Sequence, residues 1–253
     1  MRNIFVLFLL LGAVKPAFPQ NAKDFTNATF LGKLNKDTSY LELKKKVVSG
    51  FVHAKPGRWG EFVNGVEKEI HTQHKYIAFT FDACGGKNGN GYDKELIDFL
   101  HYGKIPATLF VSRKWIDANF TAFINLSKDT LFEIENHGLN HKPCSINGES
   151  AYGIQSTSGV EEAFDEACVK MAGELGITVV SFEVLSGDAV AFIPDSVIED
   201  NVLKSIKPGA IVIMHFNHPE WHTYEAMQKI VPKLRQMGYV FVRLKDFEVT
   251  SDK

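Results

Sequence analysis

The stretch Tyr76-Ile-Ala-Phe-Thr-Phe-Asp-Ala-Cys-Gly-Gly86 is the most informative part of this 253-residue chain. Its first half is an apolar run, which is typical of a strand that is buried on both faces of a parallel sheet. Its second half is a glycine-rich turn that follows an acidic residue, Asp82. Ligands of α/β proteins bind at the carboxyl ends of the strands, so Asp82 is a candidate functional residue.

Two more polar motifs follow strand-like runs. His137 and His141 come after the run Phe132–Glu135, and His215 comes directly after the run Ala210–Met214. Because the ends of parallel strands converge on one rim, we expect the three histidines and the acidic residue to lie close together. A set of this kind indicates a metal-dependent hydrolase.

The spacing of His137 and His141 suits a metal ion. On a helical turn, residues four apart share one face and lie about 6 Å apart along the axis. Catalytic Zn²⁺ takes three protein ligands, leaves a position for water and lowers the pKa of that water to about 7. The spacing alone is weak evidence, because His218 and His222 repeat it around Pro219.

Each of the other candidates also has an ordinary structural interpretation. Asp82 and Asp188 lie next to glycine-containing turns, where an aspartate often binds its own backbone. His215 follows four apolar residues, and most histidines in such a place only border the core. The combination of these residues, rather than any one of them, favours a functional site.

The composition agrees with one α/β domain. The chain is 45% hydrophobic and 23% charged, and its formal net charge is −2. This length and composition allow a sizeable core. The charge balance offers no electrostatic basis for binding nucleic acid or an anionic membrane.

Strands and helices are predicted to alternate, which favours a parallel sheet with both faces covered. The expected strands span residues 76–81, 107–111, 132–135, 178–184, 210–214 and 239–242. One helix is expected to begin after the N-cap Asp93 and to run through Leu100. Three further helices are expected over residues 160–175, 196–205 and 225–237.

Residues 1–20 have the features of a signal peptide. Arg2 precedes the apolar run Ile4–Val14, whose 11 residues are too few to span a bilayer. We expect residues 21–58 to form an exposed lead-in and residues 59–253 to form the catalytic domain. The protein is therefore expected to be exported to the periplasm or the extracellular space, with no stable membrane anchor after removal of the signal.

Three cysteines remain, Cys84, Cys144 and Cys168, and an odd number leaves at least one unpaired within a single chain. Cys84 and Cys144 each follow a candidate site motif, so a disulfide between them is one expectation. Buried free thiols are the favoured alternative.

In combination and order, these motifs resemble those of the polysaccharide deacetylase family, which includes nodulation-type chitooligosaccharide deacetylases and their peptidoglycan relatives. The resemblance runs from about Trp59 to Phe247. It is carried by Thr80-Phe81-Asp82, by the His-x-x-x-His motif at His137–His141, by Ile213-Met-His215, and by the strand within Ile105–Val111.

The resemblance implies a deformed (β/α) barrel and a divalent metal, usually Zn²⁺, with Co²⁺ or Ni²⁺ as alternatives. It implies attack of a water on an acetyl group of an amino-sugar polysaccharide or oligosaccharide, chitin-like or peptidoglycan-like. By the same resemblance, Asp82 is the general base and His137 and His141 hold the metal. His215 then protonates the leaving amine, and Asp188 orients His215.

The chain departs from the family pattern at the metal site. Ala83 stands where the family has a metal-binding aspartate, and an alanine side chain cannot coordinate. The third ligand is therefore Asp82 itself, another nearby group such as Asp93, or water.

The chain also departs from the family's third motif. It has no arginine between Arg113 and Arg235, and one strand–helix repeat is missing between His141 and the strand at 178–184. The barrel should therefore be short of one repeat. The alternatives to a deacetylase are a degenerate homologue that binds carbohydrate or metal with little or no turnover, and a metal-dependent amidohydrolase of another substrate.

Overall fold

The structure is a computed structural model that describes residues 36–151, 154–155 and 163–247. Strands and helices alternate along these residues. The helices are α1 (Thr38–Phe51), α2 (Lys94–Tyr102), α3 (Arg113–Ala118), α4 (Phe120–Lys128), α5 (Glu166–Glu174), α6 (Asp195–Ser205) and α7 (Thr223–Gln236). The strands are β1 (Trp59–Gly60), β2 (Val66–Glu67), β3 (Tyr76–Ala83), β4 (Ala107–Val111), β5 (Phe132–Asn136), β6 (Ser150–Ala151), β7 (Ile154–Gln155), β8 (Phe164–Asp165), β9 (Val179–Val180), β10 (Val184–Leu185), β11 (Ile211–His215) and β12 (Val240–Val242). A short 3₁₀ helix, Leu244–Asp246, follows β12.

A sheet of six parallel strands forms the centre of the fold. The strands lie in the order β10-β11-β3-β4-β5, and β12 pairs with the first part of β3. Ala78 of β3 pairs with Ile211 on one side and with Val242 on the other. The second part of β3 pairs with β4. This central position explains why β3 is apolar along most of its length.

The two faces of β3 have different neighbours, because successive side chains of a strand point to opposite faces. Ile77, Phe79 and Phe81 are fully buried in the main core, to which α2, α6 and α7 contribute their apolar sides. On the opposite face, Ala78 packs in a smaller cluster. Asp82 continues that second face at the carboxyl end of the strand, so the fold presents it at the rim.

The sheet is open, as the sequence predicted. Within the described residues, β5 pairs only with β4, and β10 pairs only with β11. The fold is therefore a deformed α/β barrel in which none of the described residues between β5 and the segment at 178–184 adds a strand to the central sheet. Two short strands near this gap, β8 and β9, pair instead with β1 and β2 from the segment before β3.

Two predicted elements near this gap have other bounds than expected. The helix expected over residues 160–175 begins at Glu166, because Phe164 and Asp165 pair with β1 and the Asp165 side chain caps the helix at Cys168 N. Residues 160–162 lie outside the described residues. The strand expected over residues 178–184 is two short strands, since β9 pairs with β2 whereas β10 pairs with β11.

The disulfide expected between Cys84 and Cys144 was wrong, and so was the alternative of free thiols only, whereas the expectation of one unpaired cysteine is confirmed. Cys144 and Cys168 form a disulfide with a Cα–Cα distance of 6.0 Å, and Cys84 is free. Backbone hydrogen bonds from Cys144 N to Ala163 O and from Asp165 N to Cys144 O place Cys144 beside the first turn of α5. This long-range contact, rather than proximity of site motifs along the chain, decides the pairing.

The amino-terminal segment is described only in part. The predicted signal peptide, residues 1–20, lies outside the described residues. In the lead-in segment, α1 has Asp37 as its N-cap and no buried side chain. None of the helices in the described ranges has the length and apolar content needed to cross a membrane.

The predicted N-cap of α2 is confirmed, and it supports a test of pH-dependent stability. Leu96 N donates a hydrogen bond of 2.9 Å to Asp93 Oδ1. Burial raises the pKa of the Asp93 carboxyl to about 6, an effect that this hydrogen bond only partly opposes. Because the folded-state pKa lies above the unfolded value, the contribution of Asp93 to stability is complete below pH of about 4 and is lost as the pH rises through 6.

Asp93→Asn keeps the capping acceptor but cannot ionise. We therefore expect the melting temperature of the variant, relative to that of the wild type, to rise between pH 4 and pH 7. Thermal unfolding followed by circular dichroism at several pH values measures this difference. A difference that stays constant over the whole range would contradict the raised pKa.

Candidate active site

The register of β3 and β11 brings two of the predicted residues together at the carboxyl end of the sheet. Asp82 is the direct pairing partner of His215, and paired residues of neighbouring strands point to the same face. Both side chains are buried, with 5% and 8% of their surface exposed. The predicted convergence of strand ends therefore holds for this pair.

The predicted contact between His215 and Asp188 is present. His215 Nδ1 lies 2.9 Å from Asp188 Oδ1, and the backbone N–H of His215 donates to Asp188 Oδ2 at 2.8 Å. Burial alone would lower the pKa of His215, but the carboxylate of Asp188 raises it well above the ordinary value. The Asp188 carboxylate thus favours the protonated form of the imidazole.

Two hydroxyl groups complete the surroundings of Asp188. Ser186 Oγ donates to Asp188 Oδ1 at 2.9 Å, and Thr223 Oγ1, at the start of α7, donates to Asp188 Oδ2 at 2.9 Å. Asp188 is only 1% exposed. Its carboxylate is therefore fixed by hydrogen bonds, and it in turn fixes the orientation of the His215 ring.

His137 and His141 lie in a loop that follows β5, so the helical turn expected for them was wrong. Gly138 and His141 have positive φ angles of 78° and 51°, and Gly138 N donates to Asn136 Oδ1. These local interactions replace a helical turn. The two imidazole rings still approach each other, with centroids 5.0 Å apart. A histidine in the left-handed conformation is uncommon, and such strain is concentrated at functional sites.

A third ligand-type side chain, which the sequence interpretation missed, lies beside these histidines. Cys84 Sγ is 3.8 Å from His137 Nε2. The ligand atoms of Cys84, His137 and His141 all lie within 4.8 Å of one another, and this is the group of three found among the described residues. The strand period was the available signal, because Cys84 is two positions after Asp82 and Ala83 points into the main core.

The ionisable groups of this cluster shift one another's pKa. Burial would raise the pKa of the Cys84 thiol, but hydrogen bonding to His137, His141 and His215 brings it well below its ordinary value. Burial would lower the pKa of His137, but the nearby Asp82 carboxylate and Cys84 raise it to about 9. One thiol thus interacts with all three candidate histidines. Two imidazole nitrogens and a thiolate form a donor set that fits Zn²⁺.

The two aspartates considered as third ligands are placed differently. Asp82 Oδ2 lies 3.8 Å from His137 Nε2, but Asp82 is not a member of the three-ligand cluster. Asp93 caps α2 and is not a member either. The structure therefore brings Asp82, His137, His141, His215 and Asp188 together and leaves Asp93 apart.

An aromatic side chain that the sequence interpretation did not single out lies beside His215. The Trp221 ring meets the His215 ring edge to face at a centroid distance of 5.6 Å. It also stacks on His218 at 3.7 Å with an interplanar angle of 4°. His218, one member of the second histidine pair, thus packs against an aromatic ring and is not in the metal-type cluster.

The chain is similar to polysaccharide deacetylases over part of its length. The family model described as polysaccharide deacetylase matches residues 69–177. The peptidoglycan-N-acetylglucosamine deacetylase of Bacillus cereus is 27% identical over 197 residues, which cover 70% of this chain and 90% of that protein. The uncharacterized protein YlxY of Bacillus subtilis is 27% identical over 168 residues. That alignment covers 60% of this chain and 51% of YlxY, so the chain spans about half the length of this relative.

The fold has counterparts among solved structures. A CE4 family pseudoenzyme from Bacillus anthracis superposes with a TM-score of 0.57 at 21% identity, covering 71% of this chain and 67% of that one. At 21% identity this similarity shows that the two folds are alike, and it shows nothing about activity.

Proposed function

We propose that the protein is a metal-dependent hydrolase that removes acetyl groups from an amino-sugar polysaccharide, since residues 69–177 match the family model described as polysaccharide deacetylase. The observation that carries this proposal is the pairing of Asp82 with His215 beside His137 and His141. A candidate base, a candidate acid and two candidate metal ligands thus face one site. The proposed cofactor is a divalent metal, Zn²⁺ or alternatively Co²⁺ or Ni²⁺.

His137 and His141 would hold the metal. When bound, it would supply a Lewis acid that polarises the acetyl carbonyl and makes water acidic at neutral pH. Asp82, buried next to His137, accepts the proton of the attacking water. It is the pairing partner of His215, so the base and the acid come from neighbouring strands of one site.

His215 donates a proton to the leaving amine nitrogen. Its Nδ1 is hydrogen-bonded to Asp188, which leaves Nε2 as the atom that faces the substrate. The raised pKa keeps the ring protonated until the carbon–nitrogen bond breaks. This division of roles matches acyl transfer with separate acid and base.

A sugar polymer is the proposed substrate, chitin-like or peptidoglycan-like. Trp221 beside His215 offers a flat apolar ring of the kind on which a sugar can stack. The Bacillus cereus relative is named for a peptidoglycan amino sugar, which supports this class. The features of residues 1–20 support export to the periplasm or the extracellular space, where such polymers lie.

A second candidate is a homologue that binds carbohydrate or metal with little or no turnover. Ala83 and the lack of an arginine between Arg113 and Arg235 favour it, and a structural neighbour is described as a pseudoenzyme. The buried, fully hydrogen-bonded contact between His215 and Asp188 favours the active enzyme, because it is the arrangement that an oriented acid requires.

Acetate release tests the proposal. The purified protein, loaded with Zn²⁺, Co²⁺ or Ni²⁺, is incubated with chitooligosaccharides and with peptidoglycan. We expect acetate from at least one substrate, loss of that activity after chelation, and recovery on adding back metal. Stoichiometric metal without acetate from any of these substrates would favour the second candidate.

A further inference from the structure

We propose that Cys84 is the third protein ligand of the metal, so that the centre is built from one sulfur and two imidazole nitrogens. This inference rests on the proposed function in one respect, the presence of a divalent metal at His137 and His141. Cys84 would take the place of the metal-binding aspartate that the family has at the position of Ala83.

The first support is the direction of the side chains at the end of β3. Ala83 is fully buried and belongs to the main core on the helical side of the sheet. Asp82 and Cys84, one residue before and one residue after it, both approach His137. The metal ligand lost at Ala83 can therefore be replaced by the next residue without moving the strand.

The second support is distance. Zn–S and Zn–N bonds of about 2.3 Å and about 2.0 Å that meet at a tetrahedral angle hold sulfur and nitrogen about 3.5 Å apart. The observed distance from Cys84 Sγ to His137 Nε2 is 3.8 Å. The third member, His141, lies within the same 4.8 Å limit.

The third support is the backbone that holds Cys84. Ser112 Oγ donates to Cys84 O at 2.6 Å, which ties the end of β3 to the start of α3. The next residue, Gly85, has a φ angle of 71°, and a Cβ there would lie 2.4 Å from Trp115 N. Only glycine permits this close turn. The chain thus presents the Cys84 side chain from a fixed position, as a metal ligand requires.

With Cys84 in the third position, Asp82 is not required as a metal ligand. Its carboxylate can therefore act as the base, a role that direct coordination of the metal would oppose. A thiolate also selects among metals, because soft sulfur ligands favour Zn²⁺ and Co²⁺ over Mg²⁺ and Ca²⁺.

Cobalt spectroscopy tests the ligand directly. A thiolate bound to Co²⁺ gives an intense sulfur-to-metal charge-transfer band in the near ultraviolet, whereas imidazole and carboxylate ligands do not. The wild-type protein with one equivalent of Co²⁺ should show this band. Cys84→Asp, which supplies a carboxylate, should still bind one Co²⁺ but lose the band.

Two further variants complete the experiment. Cys84→Ala should weaken Co²⁺ and Zn²⁺ binding by about 100-fold or more, because even the outer partners of metal ligands are worth about 10–100-fold. Asp93→Asn, at the carboxyl group outside the cluster, should keep both the band and the stoichiometry. Circular dichroism of each variant confirms that the fold is retained.

The outcomes separate this inference from the proposed function. The band in a protein that releases no acetate would support Cys84 as a ligand and count against deacetylation. Acetate release by a Co²⁺ protein without the band would support deacetylation and overturn Cys84 as a ligand. A band that persists in Cys84→Asp, or a wild-type protein that binds no Co²⁺, would also overturn the inference.

Discussion

Replacement of both His137 and His141 with alanine is expected to abolish stoichiometric binding of Zn²⁺, Co²⁺ and Ni²⁺, and with it all acetate release. The two rings, 5.0 Å apart, provide two of the three donors in the candidate metal cluster. A single remaining sulfur donor cannot hold a divalent ion against water. Metal content after dialysis, measured by elemental analysis, checks this result.

The chain contains a matched control. His218 and His222 have the same spacing of four residues but do not belong to the three-ligand cluster. The double variant at these positions should therefore retain one metal per chain. Unchanged metal content in the variant lacking His137 and His141 would contradict the assignment of both residues.

Loss of the proposed acid should have the second largest effect. His215→Ala is expected to lower kcat for amide substrates by about 10²–10⁴-fold, the range typical of general acid catalysis. Asp188→Asn should cause a loss of similar size, because it removes the carboxylate that orients and charges the imidazole. The double variant should be little worse than either single variant, since the two residues act as one unit.

The leaving group distinguishes proton donation from a structural role. An aryl acetate releases a phenolate that needs no proton, so both variants should lose far less activity on it than on an acetylated amino sugar. Asp129→Asn is a matched control, because Asp129 pairs with His101 at 2.6 Å in an exposed place. Equal losses on ester and amide substrates would contradict the role of His215 as an acid.

Much of the fold could be predicted from local patterns. The apolar runs located β3, β4, β5, β11 and β12 to within one or two residues, and Asp93 located the start of α2. The open edge of the sheet could be predicted because too few residues lie between His141 and the segment at 178–184 for a full set of strand–helix repeats. The predictions failed where short strands and loops depend on distant partners, as at Phe164 and Val179.

The candidate site was predicted as a set of residues but not as a geometry. Asp82, His137, His141, His215 and Asp188 could be picked out because each ends a strand-like run or stands in a turn. The helical turn assumed for the histidine pair was wrong, because Gly138 and Asn136 form a local turn in its place. The roles of these residues in catalysis and metal binding stay predictions.

The sequence by itself determined where the strands end and which polar residues stand there, because strand and cap signals depend on neighbours within a few positions. Only the tertiary structure decided which side chains meet. Cys84 and His137 are 53 residues apart, Asp188 and His215 are 27 apart, and the disulfide joins residues 24 apart. Such contacts depend on the register between strands and on the paths of the loops that join them. A shift of one residue in register turns every side chain to the opposite face, so the strand period can place Cys84 on the same face as Asp82 but cannot show that it meets His137.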